Sequence, residues 1–312
     1  MTNIRDIAKQ SGYSVTTVSR YLNQNGYVSE AAAQKIKEVI TKLDYVPNSI
    51  ARDLSIGQTS TIGVVVPHMH HPYFTQLVAG VMEAAFAKRI NVTLLQSRYD
   101  AQLEIKYLEQ LHQKTYDGLI FTSHGISLTD MVKYQKYGPI VCCEDPGEIN
   151  LSAAYTTRKT TYLQAFAHLK KHHFTNIGIM LSRPYELSAT SKLTLDCYLQ
   201  VFKHYPNKHL LQTTITTYSD GYQGALKYLK LSSQPDFVFT NGDDIAAGVR
   251  QCYIDHHHTV PPLMGQENQL ASQLMQISTI GHHFKQVGAQ AFHLLSSPQI
   301  KQVPVTAELI IR

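Results

Sequence analysis

The chain has 312 residues, 43% of them apolar, and 28 Lys and Arg against 23 Asp and Glu leave a formal charge of only +5. That length accommodates one small and one or two mid-sized globular domains. No stretch approaches the roughly 20 apolar residues of a membrane span, and the first residues lack the basic-then-apolar layout of an export signal, so a cytoplasmic protein is expected. Cys142, Cys143, Cys197 and Cys252 show no C-x-x-C spacing, and the adjacent pair falls in the apolar run Pro139 to Cys143. Reduced core thiols are expected.

The first 46 residues predict a small three-helix unit. Asn3 offers an N-cap oxygen with Asp6 three positions on, and Ile4, Ile7 and Ala8 line one face of a first helix that Gly12 ends. Ser14 caps a second helix, on which Val18, Tyr21 and Leu22 fall on one arc and Val15, Thr16, Ser19 and Arg20 on another. The second arc faces outward. Its small N-terminal residues suit close approach to base edges, Arg20 suits a bidentate contact to guanine, and the free amides of the first turn favour a phosphate. A third helix is expected from a Ser29 cap through Ala32, Ile36, Val39, Ile40 and Leu43. Two short helices hinged at a glycine, apolar inside and polar outside, are the layout of a helix-turn-helix that reads double-stranded DNA. Residues 1–56 hold seven basic against five acidic side chains. Counterion release from so small a surplus is weak, so tight binding requires two copies of this head and shape-specific contacts as well.

The ordered run Asp6-Ile-Ala, Thr17-Val-Ser-Arg20, Leu22-Asn, Val28-Ser and Pro47-Asn-x-x-Ala-Arg-x-Leu54 resembles the LacI/GalR family of bacterial transcription regulators. The likeness continues through Ile62-Gly-Val-Val-Val-Pro67, His71-Pro-Tyr-Phe74, Asp117-Gly-Leu-Ile120, Ala165-x-x-His-Leu169 and Ala246-x-Gly248. It implies DNA contacts from Ser14, Val15, Thr16, Thr17, Ser19, Arg20 and Asn23 in a domain of residues 1–46. Residues 47–58 are then a hinge helix and linker, too short to be stable alone, that folds against a twin on DNA and brings Asn48 to it. By the same resemblance, paired Leu54 side chains wedge into the minor groove at the operator centre, with Ala51 allowing close approach. Two heads about one helical turn apart read a near-palindrome, so a homodimer is the expected assembly, with a tetramer left open.

From residue 60 the pattern changes to alternating strand and helix. Apolar runs at Ile62 to Val66, Val92 to Leu95, Leu119 to Phe121, Ile140 to Cys143, Ile177 to Leu181, Leu211 to Ile215 and Phe237 to Phe239 are separated by amphipathic stretches such as Phe74 to Lys88 and Ala189 to Phe202. These predict parallel sheets covered by helices on both faces. A break near Leu151 to Thr160 divides residues 59–312 into a first lobe, about 59–155 with part of 281–312, and a second, about 156–280. The resemblance implies lobes with the fold of periplasmic sugar-binding proteins, the chain crossing between them more than once. The expected fold class is therefore a small all-α helix-turn-helix domain followed by a two-lobed α/β periplasmic-binding-protein-like domain with parallel sheets.

Parallel sheets bind ligands at the carboxyl ends of their strands, and a cleft between two lobes collects several such ends. The first lobe contributes His70, His71, Tyr73 and Phe74, then Ser97, Tyr99 and Asp100, then Thr122 and Ser123, then Glu144 and Asp145. The second contributes Ser182 and Arg183, Asn241 and Asp243, and Gln266 and Glu267. Aromatic faces beside carboxylates and amides suit a polyhydroxylated effector. The resemblance adds His282, where the family often has a polar residue.

Departures from the family pattern bear on the effector. The family's Arg-x-x-Gly-Phe arginine, which grips it, aligns with Thr194-Leu-Asp-Cys-Tyr198, and Thr194 cannot replace a guanidinium fork. The usual Asp-Asn near the lobe crossing reads Thr157-Arg158, the usual Asn-Asp reads Gly242-Asp243, and the usual Phe-Asp reads Gln266-Glu267. A sugar or sugar phosphate is the expected effector class. Arg158 and Arg183 are candidates to meet a phosphate, against the plainer reading of solvated or ion-paired arginines. Asp243 opens a helix, where an acid also complements the dipole. The sixteen histidines, including His256-His-His258, lack metal-ligand spacing, and neither a metal nor a cofactor is expected. No G-x-G-x-x-G, G-x-S-x-G or P-loop stands at a strand-to-helix turn, so an enzyme is not expected. The alternatives are a DNA-binding regulator with a non-sensing cleft and a solute-binding module.

Overall fold

Helix α1 (Ile4–Ser11) begins in a reciprocal cap: the Asn3 side chain accepts from the amides of Arg5 and Asp6 at 2.8 and 3.3 Å, and Asp6 accepts from the Asn3 amide at 2.9 Å. Gly12 ends it at φ +76°, a left-handed conformation that glycine adopts without a Cβ clash. Ser14 then starts α2 (Val15–Asn23) by accepting from the Thr17 amide at 3.1 Å, and Ser29 starts α3 (Glu30–Lys42) by accepting from the Ala32 amide. Ile7, Ala8, Val18, Ile36 and Val39 form the core of the three helices. The computed structural model describes residues 3–23, 25–46, 57–69 and 71–312, so Asn48, Ala51, Leu54 and His70 lie outside the described residues. Two compact units divide after Ser60.

The second unit contains two six-stranded sheets. The first is built from β1 (Thr61–Val66), β2 (Asn91–Gln96), β3 (Gly118–Phe121), β4 (Ile140–Cys142), β5 (Ser152–Thr157) and β11 (Gln302–Thr306), all parallel, in the order β11-β5-β4-β3-β1-β2. The second holds β6 (Ile177–Met180), β7 (Leu211–Gln212), β8 (Phe237–Thr240), β9 (Leu263–Gln266), β10 (Ser278–Gly281) and β12 (Glu308–Ile310), in the order β12-β10-β9-β8-β6-β7 with only β12 antiparallel. In each sheet the strand order reverses beside the first strand, which opens a crevice at its carboxyl end. Helices α4 (Pro72–Ala87), α5 (Ala101–His112), α6 (Leu128–Tyr134) and α12 (Phe284–Leu294) serve the first sheet; α7 (Lys159–Lys171), α8 (Ala189–Phe202), α9 (Tyr218–Leu229), α10 (Asp243–Asp255) and α11 (Leu270–Leu274) serve the second. Among the described residues, no helix is long and apolar enough to cross a membrane.

The chain changes lobe at Arg158, within the stretch expected to divide the lobes, and strand β5 occupies most of that stretch. Ser152-Ala-Ala-Tyr-Thr-Thr157 is too small and polar to read as an apolar run, yet it pairs on both sides. The chain returns at His282–His283 and crosses a third time at Ala307.

Close helix packing holds the first lobe. A Cβ at Gly288 of α12 would lie 2.0 Å from the carbonyl oxygen of Leu77, and one at Gly80 of α4 would lie 1.9 Å from that of Lys285. Gly288→Ala gains about 1 kcal/mol of helix propensity. It loses roughly 1–3 kcal/mol to overpacking against rigid backbone. The second effect is expected to win and lower the melting temperature by a few degrees in a thermal scan; an unchanged value would show that the helices separate freely.

Candidate functional site

Helix α2 buries Val18 and leaves Ser14, Val15, Thr16, Arg20 and Asn23 exposed, with Thr17 and Ser19 half-buried. Ser14 and Thr17 share a hydrogen bond at 2.9 Å, and the Asn23 amide donates to Ser19 at 3.2 Å, which fixes both ends of the polar face. Val15 is an apolar side chain in water at the helix start, where it suits a thymine methyl. The Arg20 stem lies beside Gly26, which turns the chain at φ +99°.

In the second unit, the floor between the lobes is made by the three crossing segments. Thr156 donates to the His282 carbonyl at 2.8 Å, Thr161 to the Ala307 carbonyl at 3.0 Å, and the Ala307 amide to the Thr157 carbonyl at 3.3 Å. His282 stands on this floor, buried and stacked on Phe284 with ring centres 4.9 Å apart. Gln266 orients it: the Gln266 amide donates to the Thr240 carbonyl, so its oxygen faces Tyr162 and His282 and accepts from each at 2.8 Å. The proton of His282 therefore sits on Nε2, and Nδ1 is a buried acceptor with no partner. Burial and the charge of Arg158 hold this imidazole neutral, its pKa well below the usual histidine value.

Two contacts join the lobes across the cleft. His71 accepts from the Tyr73 amide through Nδ1, which caps α4, and the same nitrogen lies 3.4 Å from the Glu267 carboxyl group. A nitrogen that already accepts has no proton to offer, so His71 is not the donor in this contact. Burial acts the same way on both groups. It raises the Glu267 pKa well above the carboxylate range, helped by nearby Asp243, and lowers that of His71 to about 4, helped by His68 and Arg158. Burial thus penalises the ionised form of both partners in this 3.4 Å contact. At the other contact, Arg183 lies over the Tyr99 ring at 4.4 Å. Both loops carry consecutive residues at positive φ, Arg98 and Tyr99 at 52° and 62°, Glu267 and Asn268 at 95° and 50°. Such backbone costs of order 1–3 kcal/mol per residue and concentrates where a side chain must be aimed.

Residues 3–48 match the profile of bacterial regulatory proteins of the lacI family, and residues 59–256 match that of periplasmic binding proteins and the sugar-binding domain of the LacI family. The chain belongs to the LacI family of transcriptional regulators. It is 34% identical to catabolite control protein B of Bacillus subtilis (strain 168) over 94% of each chain, and 28% identical to the ribose operon repressor of Escherichia coli (strain K12) over 97% of this chain and 96% of that one. The Lac repressor dimer bound to operator and the anti-inducer ONPF has the same fold, with a TM-score of 0.81 at 19% identity over 100% of this chain and 98% of that one.

Within this LacI-family frame, the expected cleft residues separate by what their polar atoms do. His71, Tyr73, Tyr99, Arg183, Glu267 and His282 come together at the floor and the two cross-lobe contacts; Tyr73 donates to the Thr122 carbonyl at 2.8 Å. Glu144 is drawn to His124 at 2.6 Å, an ion pair that raises the His124 pKa despite burial. Five others serve the fold. Asp243 accepts from Thr279 and from the Gln269 amide, each at 2.6 Å, with no exposed surface. Ser97 accepts from the Tyr99 amide, Thr122 donates to the Val65 carbonyl, and Thr194 to the Thr190 carbonyl. Phe74 is buried edge-on against His68 and Tyr73. Sequence reasoning missed His124 and the orienting Tyr162. It weighed Arg158 without placing it at the floor, where the guanidinium lies 5.5 Å from the Phe284 ring and 6.0 Å from that of Tyr73. A cavity of about 510 Å³ lined by His168, His172, Arg250 and Arg312 among others opens at the amino ends of β8–β10, away from the cleft.

The neutral latch has a pH signature. Stability that depends on protonated Glu267 is fully present below the unfolded carboxylate pKa of about 4.5 and is lost as pH rises through the raised folded value; stability that depends on neutral His71 is lost as pH falls from about 6.5 toward 4. Glu267→Gln replaces the acid with a permanently neutral donor. Its melting temperature is expected to exceed wild type by several degrees at pH 8 and to match it near pH 5. The same offset at both pH values would mean that Glu267 is ionised in the fold.

Proposed function

We propose that this LacI-family regulator is a cytoplasmic repressor of a carbohydrate-utilisation operon. It acts as a homodimer on a near-palindromic operator and is controlled by a carbohydrate effector between its lobes. The observation that carries the effector reading is the floor of the cleft, where a bare acceptor on His282 and aromatic faces of Tyr73 and Phe284 meet at the carboxyl ends of two parallel sheets. A buried polar atom without a partner is costly unless a ligand or water satisfies it, and a hydroxyl-rich ligand does so. Support for the regulated function comes from relatives such as the sucrose operon repressor of Pediococcus pentosaceus, 30% identical over 78% of this chain and 74% of that one. The chain binds without turnover on this reading.

The DNA-contacting set is Ser14, Val15, Thr16, Thr17, Ser19, Arg20 and Asn23, with Asn48, Ala51 and Leu54 of the hinge at residues 47–58. Arg20→Ala is expected to weaken operator binding by roughly 1–3 kcal/mol and to relax base preference at one position in each half-site. Selection of bound genomic fragments, followed by gel shifts with and without sugars, tests the whole reading. A protein that retains no fragment under any condition would overturn it.

The dimer face we assign is the apolar strip of Met82 and Phe86 on α4 and Leu94 on the edge strand β2; Phe86 is 85% exposed. Phe86→Asp is expected to shift sedimentation toward monomer and to reduce operator affinity at least tenfold. A variant that stays dimeric would move the interface elsewhere.

A further inference from the structure

Arg158 is a cation without a counter-ion at the centre of the cleft floor. It is half-buried, one of its terminal nitrogens donates to Thr190 at 2.6 Å, and its Nε is buried with no acceptor. No carboxylate among the described residues lies within 4 Å of it. The two acids nearest in role are engaged elsewhere: Glu267 lies 3.4 Å from His71, and Glu144 is paired with His124 at 2.6 Å. Burying a guanidinium is unfavourable unless an anion and hydrogen bonds accompany it, and its planar fork matches carboxylate and phosphate oxygens.

The surroundings specify more than charge. The guanidinium lies 5.5 Å from the centre of the Phe284 ring, which is also stacked with His282, so the fork and the imidazole are gathered around one aromatic side chain. Both groups stand on crossing segments tied by the Thr156 to His282 hydrogen bond. A donor fork beside an acceptor reads an anionic oxygen next to a hydroxyl. We propose that the effector is an anionic carbohydrate, a sugar phosphate or a sugar carboxylate, whose charged group pairs with Arg158 and whose neighbouring hydroxyl donates to Nδ1 of His282. This rests on the carbohydrate reading of the cleft and narrows it to one chemical class.

Inorganic phosphate is the probe that needs no knowledge of the sugar. Titrated into the full chain at constant ionic strength with chloride as the balancing ion, phosphate is expected to raise the melting temperature saturably, and Arg158→Gln to weaken that response at least tenfold. No saturable response, or an equal one in Arg158→Gln, overturns the assignment. Calorimetry then compares glucose, fructose and ribose with their terminal phosphates and with gluconate and glucuronate. A charged sugar is expected to bind at least tenfold tighter than its neutral parent and to be displaced by inorganic phosphate. This measurement on the wild-type chain stands even if the variant does not fold. Preference for phosphates or for carboxylates identifies the source of the anion. A neutral sugar that binds as tightly as its charged partner overturns the anionic class and leaves the carbohydrate effector intact; a phosphate response without any role for sugars in operator release removes the carbohydrate reading itself.

Discussion

The second unit depends on one constraint: three strands leave one sheet and enter the other within hydrogen-bond reach of each other. Arg158, His282 and Ala307 mark the crossings, and Thr156, Thr157 and Thr161 tie them together through backbone carbonyls. Each lobe has its own apolar clusters, so most of the burial energy is internal to a lobe. Relative motion of the lobes is therefore concentrated at the crossings, where few residues need to change their dihedral angles. The candidate site side chains stand on that same narrow floor or on the loops that meet above it. A ligand seated there would touch the hinge and both walls at once.

The chemistry of the closing contacts is consistent with an equilibrium poised between states. An ion pair of His71 and Glu267 would require two charges to leave water, and burial opposes it by raising the pKa of the acid and lowering that of the imidazole. The second contact, Arg183 on Tyr99, keeps its cation at the cleft edge over a ring face. Neither contact commits the lobes. The strained turns at Arg98–Tyr99 and Glu267–Asn268 are held by the sheets beneath them, so the aim of these side chains is set before any ligand arrives.

Sequence and structure agree where information is local. Caps at Asn3, Ser14 and Ser29, the stop at Gly12 and the buried arc through Val18 are short-range patterns, and the reader helix was legible from them. The strand ends placed His71, Tyr73 and Glu267 near a cleft for the same reason. What was not legible depends on distant partners. Ser152–Thr157 is a strand only because residues 302–306 return beside it, and Arg158 acquires its role from Phe284 and Tyr73. Asp243 and Thr194 looked like ligands by position, but the structure places an acceptor or donor of their own lobe against each. Local sequence carries the type of a side chain; the partner that consumes its hydrogen bonds comes from the tertiary fold.

Magnitudes connect the cleft to regulation. A neutral hydrogen bond contributes about 0.5–1.5 kcal/mol and an exposed cation–π contact about 0.5–1 kcal/mol. Two contacts of these kinds thus favour closure by only about 1–2.5 kcal/mol before the backbone strain is counted. A ligand that pairs with a guanidinium and satisfies a buried acceptor supplies a differential of the same size or larger. About 3 kcal/mol is enough for a hundredfold change in operator affinity if the two lobe arrangements present the heads differently. A DNA-binding head with a surplus of only two basic residues has little nonspecific affinity to mask such a change. Weak electrostatics in the reader and a marginal latch in the cleft are therefore complementary: each keeps its equilibrium within the few kcal/mol that one small molecule can command.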